Sequence, residues 1–338
     1  MKAIGFYRSL PIDQEESLID LELEKPTPSG HDLLVQIKAI SVNPTDVKSR
    51  MSRPQREETP QILGRDVAGI VTQVGPECTL FHPGDEVYYA GSNRRPGGNS
   101  EFHLVDERIV GHKPQTLDFA QAAALPLTSL TALEGLFERL GISRDPATNT
   151  GKTILIIGAA GGVGSIATQL ARLAGLTVLG TASRPESIQW AREHGATQTI
   201  SHMQPFSPQL KALGIPQLDY IFCLNSPDKH WDDIAEAIAP QGKICSILPI
   251  TASVNLGLLF QKSVTLAWEL MFTRPMFQTT DMIEQHRHLD ALTKLVDDGK
   301  IQTTLTELIE PINAANLRIA HAKIESGETI GKIVLANF

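Results

Sequence analysis

The chain has 338 residues, a length that suits two domains better than one, and its 41% hydrophobic and 20% charged content is ordinary for a soluble globular enzyme. A formal net charge of −8 argues against an extended nucleic-acid surface, which needs clustered Lys and Arg. No stretch approaches the ~20 apolar residues of a membrane span, the opening MKAIGFYRSL lacks a signal-peptide core, and the sparse cysteines Cys78, Cys223 and Cys245 form no C-x-x-C pair, so the expected setting is a reducing cytoplasm.

Residues 1 to about 120 read as mostly β, with short runs such as 67-VAGIVTQV-74, 86-EVYYAG-91 and 101-EFHLVD-106 broken by turn signals at Pro28-Ser29-Gly30, Pro83-Gly84-Asp85 and Pro96-Gly97-Gly98. The pattern predicts a compact, irregular β-barrel-like domain. Within it, 33-LLVQIKAI-40 alternates like a strand with one buried face and runs into 41-SVNPTDVKSR-50. Asn43, Pro44, Thr45 and Asp46 there read either as a turn that ends the strand or as the polar rim of an active site with a place for a metal ligand.

From about residue 120 the texture changes. The Ala- and Leu-rich run 119–140 has helical spacing interrupted at Pro126. Apolar strands then alternate with helices: 153-TILIIGA-159, helix 163–175, strand 176–182, helix 186–195, strand 218–224, helix 231–239 and strand 242–248. Such alternation predicts a doubly wound parallel sheet covered on both faces, an α/β architecture. The tail offers a β-prone segment, 263-SVTLAWELMF-272, then a long amphipathic helix over 279–299 and a closing strand, 331-GKIVLAN-337.

The strongest motif is 154-ILIIGAAGGVGSIATQLAR-172, a glycine-rich turn with an apolar strand before it and a helix after it. Glycines there let the backbone turn sharply and approach a pyrophosphate, whose charge meets the N–H groups at the helix start. In the G-x-G-x-x-G spacing, Ala159 stands first, Gly161 in the middle and Gly164 last, with Gly162 and Val163 between them. No Gly-Lys-Ser/Thr follows, so the loop is not an ATP P-loop. The next strand ends in 180-GTASRPES-187 without the acid that usually receives an NAD ribose, whereas Ser183 and Arg184 can donate to a 2′-phosphate. NADPH is therefore the expected cofactor. His202 either adds to that pocket or is a surface histidine. Asn225, Leu248 and Pro249 follow strand carboxyl ends, where doubly wound folds place ligands.

The motifs 63-LGRDVAG-69, 83-PGDEV-87, 158-GAAGGVG-164 and 331-GKIVL-335 together resemble a medium-chain dehydrogenase/reductase, essentially end to end. The nearest flavour is the NADPH-dependent quinone oxidoreductase branch, including zinc-type alcohol dehydrogenase-like proteins. The resemblance implies a GroES-like β-barrel catalytic domain over residues 1–123 and 273–338 and a Rossmann NADP-binding domain over 124–272. Zinc alcohol dehydrogenases place ligands where this chain has Asn43, Arg65 and a position near Leu127, and residues 85–115 lack the cysteines of the structural zinc lobe. Asn, Arg and Leu cannot assemble a tetrahedral zinc site, so the resemblance implies a reductase without a metal.

Without a Lewis acid, a quinone or an alkene conjugated to a carbonyl suits hydride transfer better than a simple ketone. The resemblance offers Asn43 as a hydrogen-bond donor to the developing oxyanion, with Asp46 and Arg65 nearby; Arg65 and Asp66 alternatively form a structural ion pair. Thr128 and Thr131 resemble positions that flank the nicotinamide. Trp268 and Phe272 either line the substrate cleft or belong to the core. No histidine stands out as a general acid, which leaves water as the final proton source. The segment 263–272 matches a last Rossmann strand that pairs in a homodimer, since an open β edge is otherwise a liability. Two other readings stay open: a zinc-dependent alcohol dehydrogenase with displaced ligands, and a non-catalytic NADPH-binding redox sensor.

Overall fold

Alternation in 33-LLVQIKAI-40 becomes the strand Asp32–Ser41, which buries Leu33, Leu34 and Val35 completely. The computed structural model describes residues 1–338, which divide into two compact units: Met1–Leu127 with Phe272–Phe338, and Thr128–Met271. In the first unit a seven-stranded sheet runs in the order Leu305–Ile309, Lys332–Ala336, Asp32–Ser41, Val67–Val74, Glu86–Tyr89 and Val110–His112, with Phe102–Asp106 also paired to Asp32–Ser41. Apart from the parallel pair at the Leu305–Ile309 edge, its ladders are antiparallel. A smaller sheet joins Ile19–Glu22, Lys2–Phe6 and Gln61–Ile62. Phe6, Leu33, Val35, Val67, Phe81, Tyr89 and Leu335 form the core of this unit.

Residues 41–50 correct one expectation. Asn-Pro does not open a turn there but a helix, Pro44–Met51, with Asn43 in extended geometry at its N-cap. Proline suits the first helical position because its missing N–H would have no partner there, and Asp46 accepts from Asn43 N at 2.9 Å to close the first turn.

The second unit holds six parallel strands in the order Gln198–Ile200, Thr177–Thr181, Thr153–Ile157, Leu218–Cys223, Ile238–Ser246 and Thr265–Trp268. That is the doubly wound dinucleotide-binding order, reversing between the first and fourth strands in sequence. Apolar faces of Gly162–Leu173, Pro185–Glu193, Phe206–Ala212 and Pro227–Ala237 accompany the strands, and Leu155, Leu179, Phe206, Trp231 and Ile244 sit in the core. Pro126 interrupts the helical run as expected, separating Phe119–Ala123 from Pro126–Leu133, which continues as a π-helical turn, Glu134–Arg139.

Two elements near the tail are shorter than the sequence predicts. The β-prone 263–272 forms a strand only over Thr265–Trp268, because its neighbour ends at Ser246, the partner of Trp268. The helix expected over 279–299 spans Glu284–Asp297. No helix is long and apolar enough to cross a membrane, and all three cysteines are free thiols.

Candidate active site and cofactor loop

In the first unit, the end of Asp32–Ser41, the start of Pro44–Met51 and the start of Lys332–Ala336 bring together a buried polar cluster. Asn43, Asp46, Asp66 and Lys332 are each at most 3% exposed, and Arg65 is 7% exposed. Asn43 Nδ2 donates to Asp66 Oδ2 at 2.7 Å, and Lys332 Nζ donates to the same oxygen at 3.0 Å and to Asn43 Oδ1 at 2.5 Å. Leu127 N donates to Asp66 Oδ1 at 2.7 Å, so both carboxylate oxygens are satisfied.

This arrangement overturns the Arg65–Asp66 ion pair. The partner of Asp66 is Lys332, while the Arg65 guanidinium donates to the carbonyls of Ser92 at 2.5 Å and Arg95 at 3.2 Å. The two residues lie in the irregular segment before the strand Val67–Val74, and their side chains have separate partners. Asn43, expected to donate to a substrate oxygen, instead directs its amide toward Asp66 and the Ser41 carbonyl, 3.4 Å away. A fully buried carboxylate draws every available donor. Lys332 was missed in the sequence. Its signal was a lone lysine opening the wholly apolar strand KIVLA, since a buried ammonium implies a buried anion.

Burial pushes Asp46 up to about 6, opposed by the field of Arg65 and by the amides of Asn43 and Gly64. Desolvation likewise raises Asp66, against the ammonium of Lys332, and lowers Arg65, against the charge of Asp46. The cluster thus sets two cations and two carboxylates in a dry environment, where fixed charges act strongly.

In the second unit the glycine loop has the geometry its motif requires. Gly158 adopts φ +89°, and a Cβ on Gly164 would lie 2.2 Å from the Gly158 carbonyl oxygen, so neither position accepts a side chain without backbone movement. Ala159 replaces the first glycine of the motif, and Gly180 compensates. A Cβ on Gly180 would come within 2.7 Å of the Ala159 methyl, so the bulk added on the loop is removed from the neighbouring strand. Gly161 caps Gly162–Leu173 in extended geometry with no side-chain bond to the first amides, leaving the N–H groups of Gly162, Val163 and Gly164 for an anion. These residues fit the pyrophosphate of a dinucleotide.

Ser183 Oγ lies 3.2 Å from His202 Nε2, and Arg184 acts electrostatically on the same ring, so the three residues predicted for a 2′-phosphate do gather at adjacent strand ends. Asn225 is exposed next to Gly158, whose added Cβ would be 3.7 Å from Asn225 Cβ. Leu248 is held by Ser246 Oγ, which donates to its carbonyl at 2.8 Å, and Pro249 is exposed beside it. Thr128 and Thr131 are buried one turn apart on Pro126–Leu133. Phe272 is 4% exposed, a core residue of the first unit, whereas Trp268 is 54% exposed on the second.

The sequence matches family models for the alcohol dehydrogenase GroES-like domain over residues 29–127 and for the zinc-binding dehydrogenases over residues 194–335. A zinc-type alcohol dehydrogenase-like protein of Staphylococcus aureus is 42% identical over 99% of both chains. The chain belongs to the medium-chain dehydrogenase/reductase superfamily, in its zinc-type alcohol dehydrogenase-like branch. Among solved structures, one from Rhizobium etli, assigned to the zinc-dependent alcohol dehydrogenases, is 52% identical with a TM-score of 0.94, covering 100% of this chain and 98% of the other. The Escherichia coli quinone oxidoreductase complexed with NADPH is 25% identical with a TM-score of 0.82, covering 99% of this chain and 100% of the other. The first unit is therefore GroES-like, the second Rossmann-like, and the protein is an oxidoreductase of this superfamily.

The branch name raises the question of zinc. At the positions considered above stand an amide, a guanidinium and a leucine, and the nearest carboxylate already holds the Lys332 ammonium at 3.0 Å. A divalent cation there would face that ammonium across one oxygen. No three of His, Cys, Asp and Glu gather into a metal-holding group anywhere in the chain. This donor set does not fit zinc.

Proposed function

We propose that the protein is an NADPH-dependent reductase of quinones or α,β-unsaturated carbonyls that works without a metal. The observation that carries this reading is Lys332, whose ammonium bridges Asn43 and Asp66 beside the position where zinc relatives hold their ion. The catalytic assignment covers Asn43, Asp46 and Arg65, to which Lys332 is added.

Bound NADPH supplies the hydride. The amides after Gly161 bind its pyrophosphate, and Ser183, Arg184 and His202 receive its 2′-phosphate, with no acid at that strand tip to repel it. Thr128, Thr131, Asn225, Leu248 and Pro249 are its further neighbours. Lys332 and Arg65 provide a fixed positive field that favours negative charge developing on an acceptor oxygen. Asn43 holds Lys332 and Asp66 in register, and the closing proton comes from water. Trp268 is the aromatic assigned to the acceptor, with Phe272 the second residue of that assignment.

The edge strand Thr265–Trp268 has no second neighbour; Trp268 at 54% and Leu270 at 49% exposure lie on it or close after it in sequence, and Phe260 at 84% lies in the helical turn before it. An open edge with exposed apolar side chains supports a homodimer of this cytoplasmic enzyme.

Oxidation of NADPH against a panel of quinones and enones tests the activity. Turnover that survives chelation in protein with less than stoichiometric zinc is expected. Stoichiometric zinc whose removal abolishes turnover would replace this reading with a zinc-dependent alcohol dehydrogenase. No turnover with any acceptor would replace it with a nucleotide-binding sensor.

A further inference from the structure

We propose that His202 takes up a proton when the 2′-phosphate of NADPH binds, so that this site discriminates the phosphorylated cofactor in a pH-dependent way. The inference rests on the NADPH reading above and adds a mechanism to it.

Ser183 Oγ lies 3.2 Å from His202 Nε2, in the loop that also carries Arg184. From helix Pro227–Ala237 comes His230, whose ring meets that of His202 edge-on with centroids 6.4 Å apart and stacks on Phe206 at 5.3 Å. Lys229 precedes it on the same helix. Of the four acids on this helix, Asp232 and Glu236 are exposed, Asp233 accepts from Phe206 N at 2.9 Å, and Asp228 accepts from Thr251 N and Oγ1 at 2.9 and 2.8 Å. The neighbourhood therefore holds two permanent cations and two histidines, with Asp233 the one acid acting on either ring.

That composition keeps the imidazoles neutral in the free protein. Burial first, then the fields of Lys229 and Arg184, hold His202 below its ordinary value; burial, Lys229 and His202 do the same to His230. A dianion placed against Ser183 reverses the dominant field on His202. The ring gains an anionic partner and the repulsion from Lys229 and Arg184 is screened, so its charged form becomes the favoured one. His230 orients the ring from behind and contributes no charge while His202 carries one, because two adjacent imidazolium ions repel.

The sign separates this event from titration of the ligand. A phosphate monoester has its second pKa near ~6, so a cationic pocket strips residual protons from it and binding releases them. Net uptake can come only from the protein.

The test uses 2′,5′-ADP and 5′-AMP, titrated calorimetrically at about pH 7.5 in buffers of different ionisation enthalpy. For 2′,5′-ADP we expect uptake approaching about one proton, and an affinity that falls by more than about tenfold from about pH 6.5 to 8.5, because linkage allows up to about tenfold per pH unit for each proton. For 5′-AMP we expect no uptake and an affinity that changes less than about twofold over the same range. In His202→Gln, 5′-AMP should bind as before while the uptake disappears. Tighter binding of 2′,5′-ADP than 5′-AMP with no uptake by the wild type overturns the inference and leaves NADPH selectivity standing. Undiminished uptake in His202→Gln overturns the assignment to that ring. If 2′,5′-ADP binds no more tightly than 5′-AMP at any pH, the NADPH reading fails and takes the inference with it. The wild-type comparison is decisive even where the variant folds poorly.

Discussion

The glycine loop of the second unit and the Asn43 cluster of the first are both built around charge, but they reach it by opposite means. The loop presents main-chain amides and works by leaving side chains out: Gly158 at φ +89°, Gly164 against the Gly158 oxygen, Gly180 making room for Ala159. The cluster works by packing side chains in, with Lys332, Asp66 and Asn43 satisfying one another inside a dry core. A device made of missing atoms tolerates one exchange if a neighbour gives up a methyl group. A device made of paired charges has no such slack, since losing one partner strands the other.

The largest expected effect breaks the cluster. Lys332→Met removes the ammonium and leaves Asp66, 0% exposed, with a buried negative charge. Losing one partner of a buried pair costs about 3–5 kcal/mol. Chemical denaturation should show that loss at neutral pH, and Lys332→Met combined with Asp66→Asn should recover much of it by neutralising both partners. Equal stability of the single variant and the wild type would mean that the cluster is wet and loosely held.

The loop should respond more mildly and in a different observable. Gly164→Ala puts a methyl group 2.2 Å from the Gly158 carbonyl, a backbone atom that cannot swing aside. Overpacking of this kind costs roughly 1–3 kcal/mol. It also displaces the turn, so dinucleotide affinity by fluorescence titration should fall further than the stability does. Gly180→Ala should reproduce part of the effect through the Ala159 methyl, whereas a neutral Gly180→Ala would remove the compensation between the two positions.

The same contrast explains what the sequence disclosed. The loop is contiguous, its strand and helix flank it directly, and its glycines have a backbone reason to be where they are, so motif and geometry agree residue by residue. The parallel order of the second unit followed from apolar strands alternating with helices, except where Thr265–Trp268 ends with its neighbour rather than with its own β-prone sequence. The cluster joins positions 43, 66 and 332, and nothing local in Gly64-Arg65-Asp66 says that Asp66 turns inward to a lysine 266 residues on while Arg65 turns to the Ser92 and Arg95 carbonyls. Pairing across that separation is set by strand register, and register is a property of the folded sheet. The likeness to a metal-ligand position singles out Asn43, and the structure places it in the buried cluster with its amide directed by Asp66 and Lys332.

The smallest effect sharpens the comparison with a buried ionisable group that lacks a partner altogether. His321, on helix Ala314–Glu325, is 0% exposed, and neither ring nitrogen has a hydrogen-bond partner. The nearby Arg50 guanidinium is tied to the Leu10 carbonyl and to Glu325, so the acid in reach is engaged and a positive charge faces the ring. Burial first, and Arg50 second, push His321 down to about 3. The unfolded chain takes up its proton near pH ~6.5 and the native chain far lower, so between these values the unfolded state binds more protons. Stability contributed by neutral His321 is therefore present above pH ~6.5 and lost progressively as the pH falls, by up to about 1.4 kcal/mol per pH unit. Comparing urea midpoints at pH 7 and 5 isolates the term: His321→Leu should lose less stability than the wild type over that interval. A variant slope as steep as the wild type's would place the acid lability elsewhere, with His103, which burial holds at about 4, as the next group to replace.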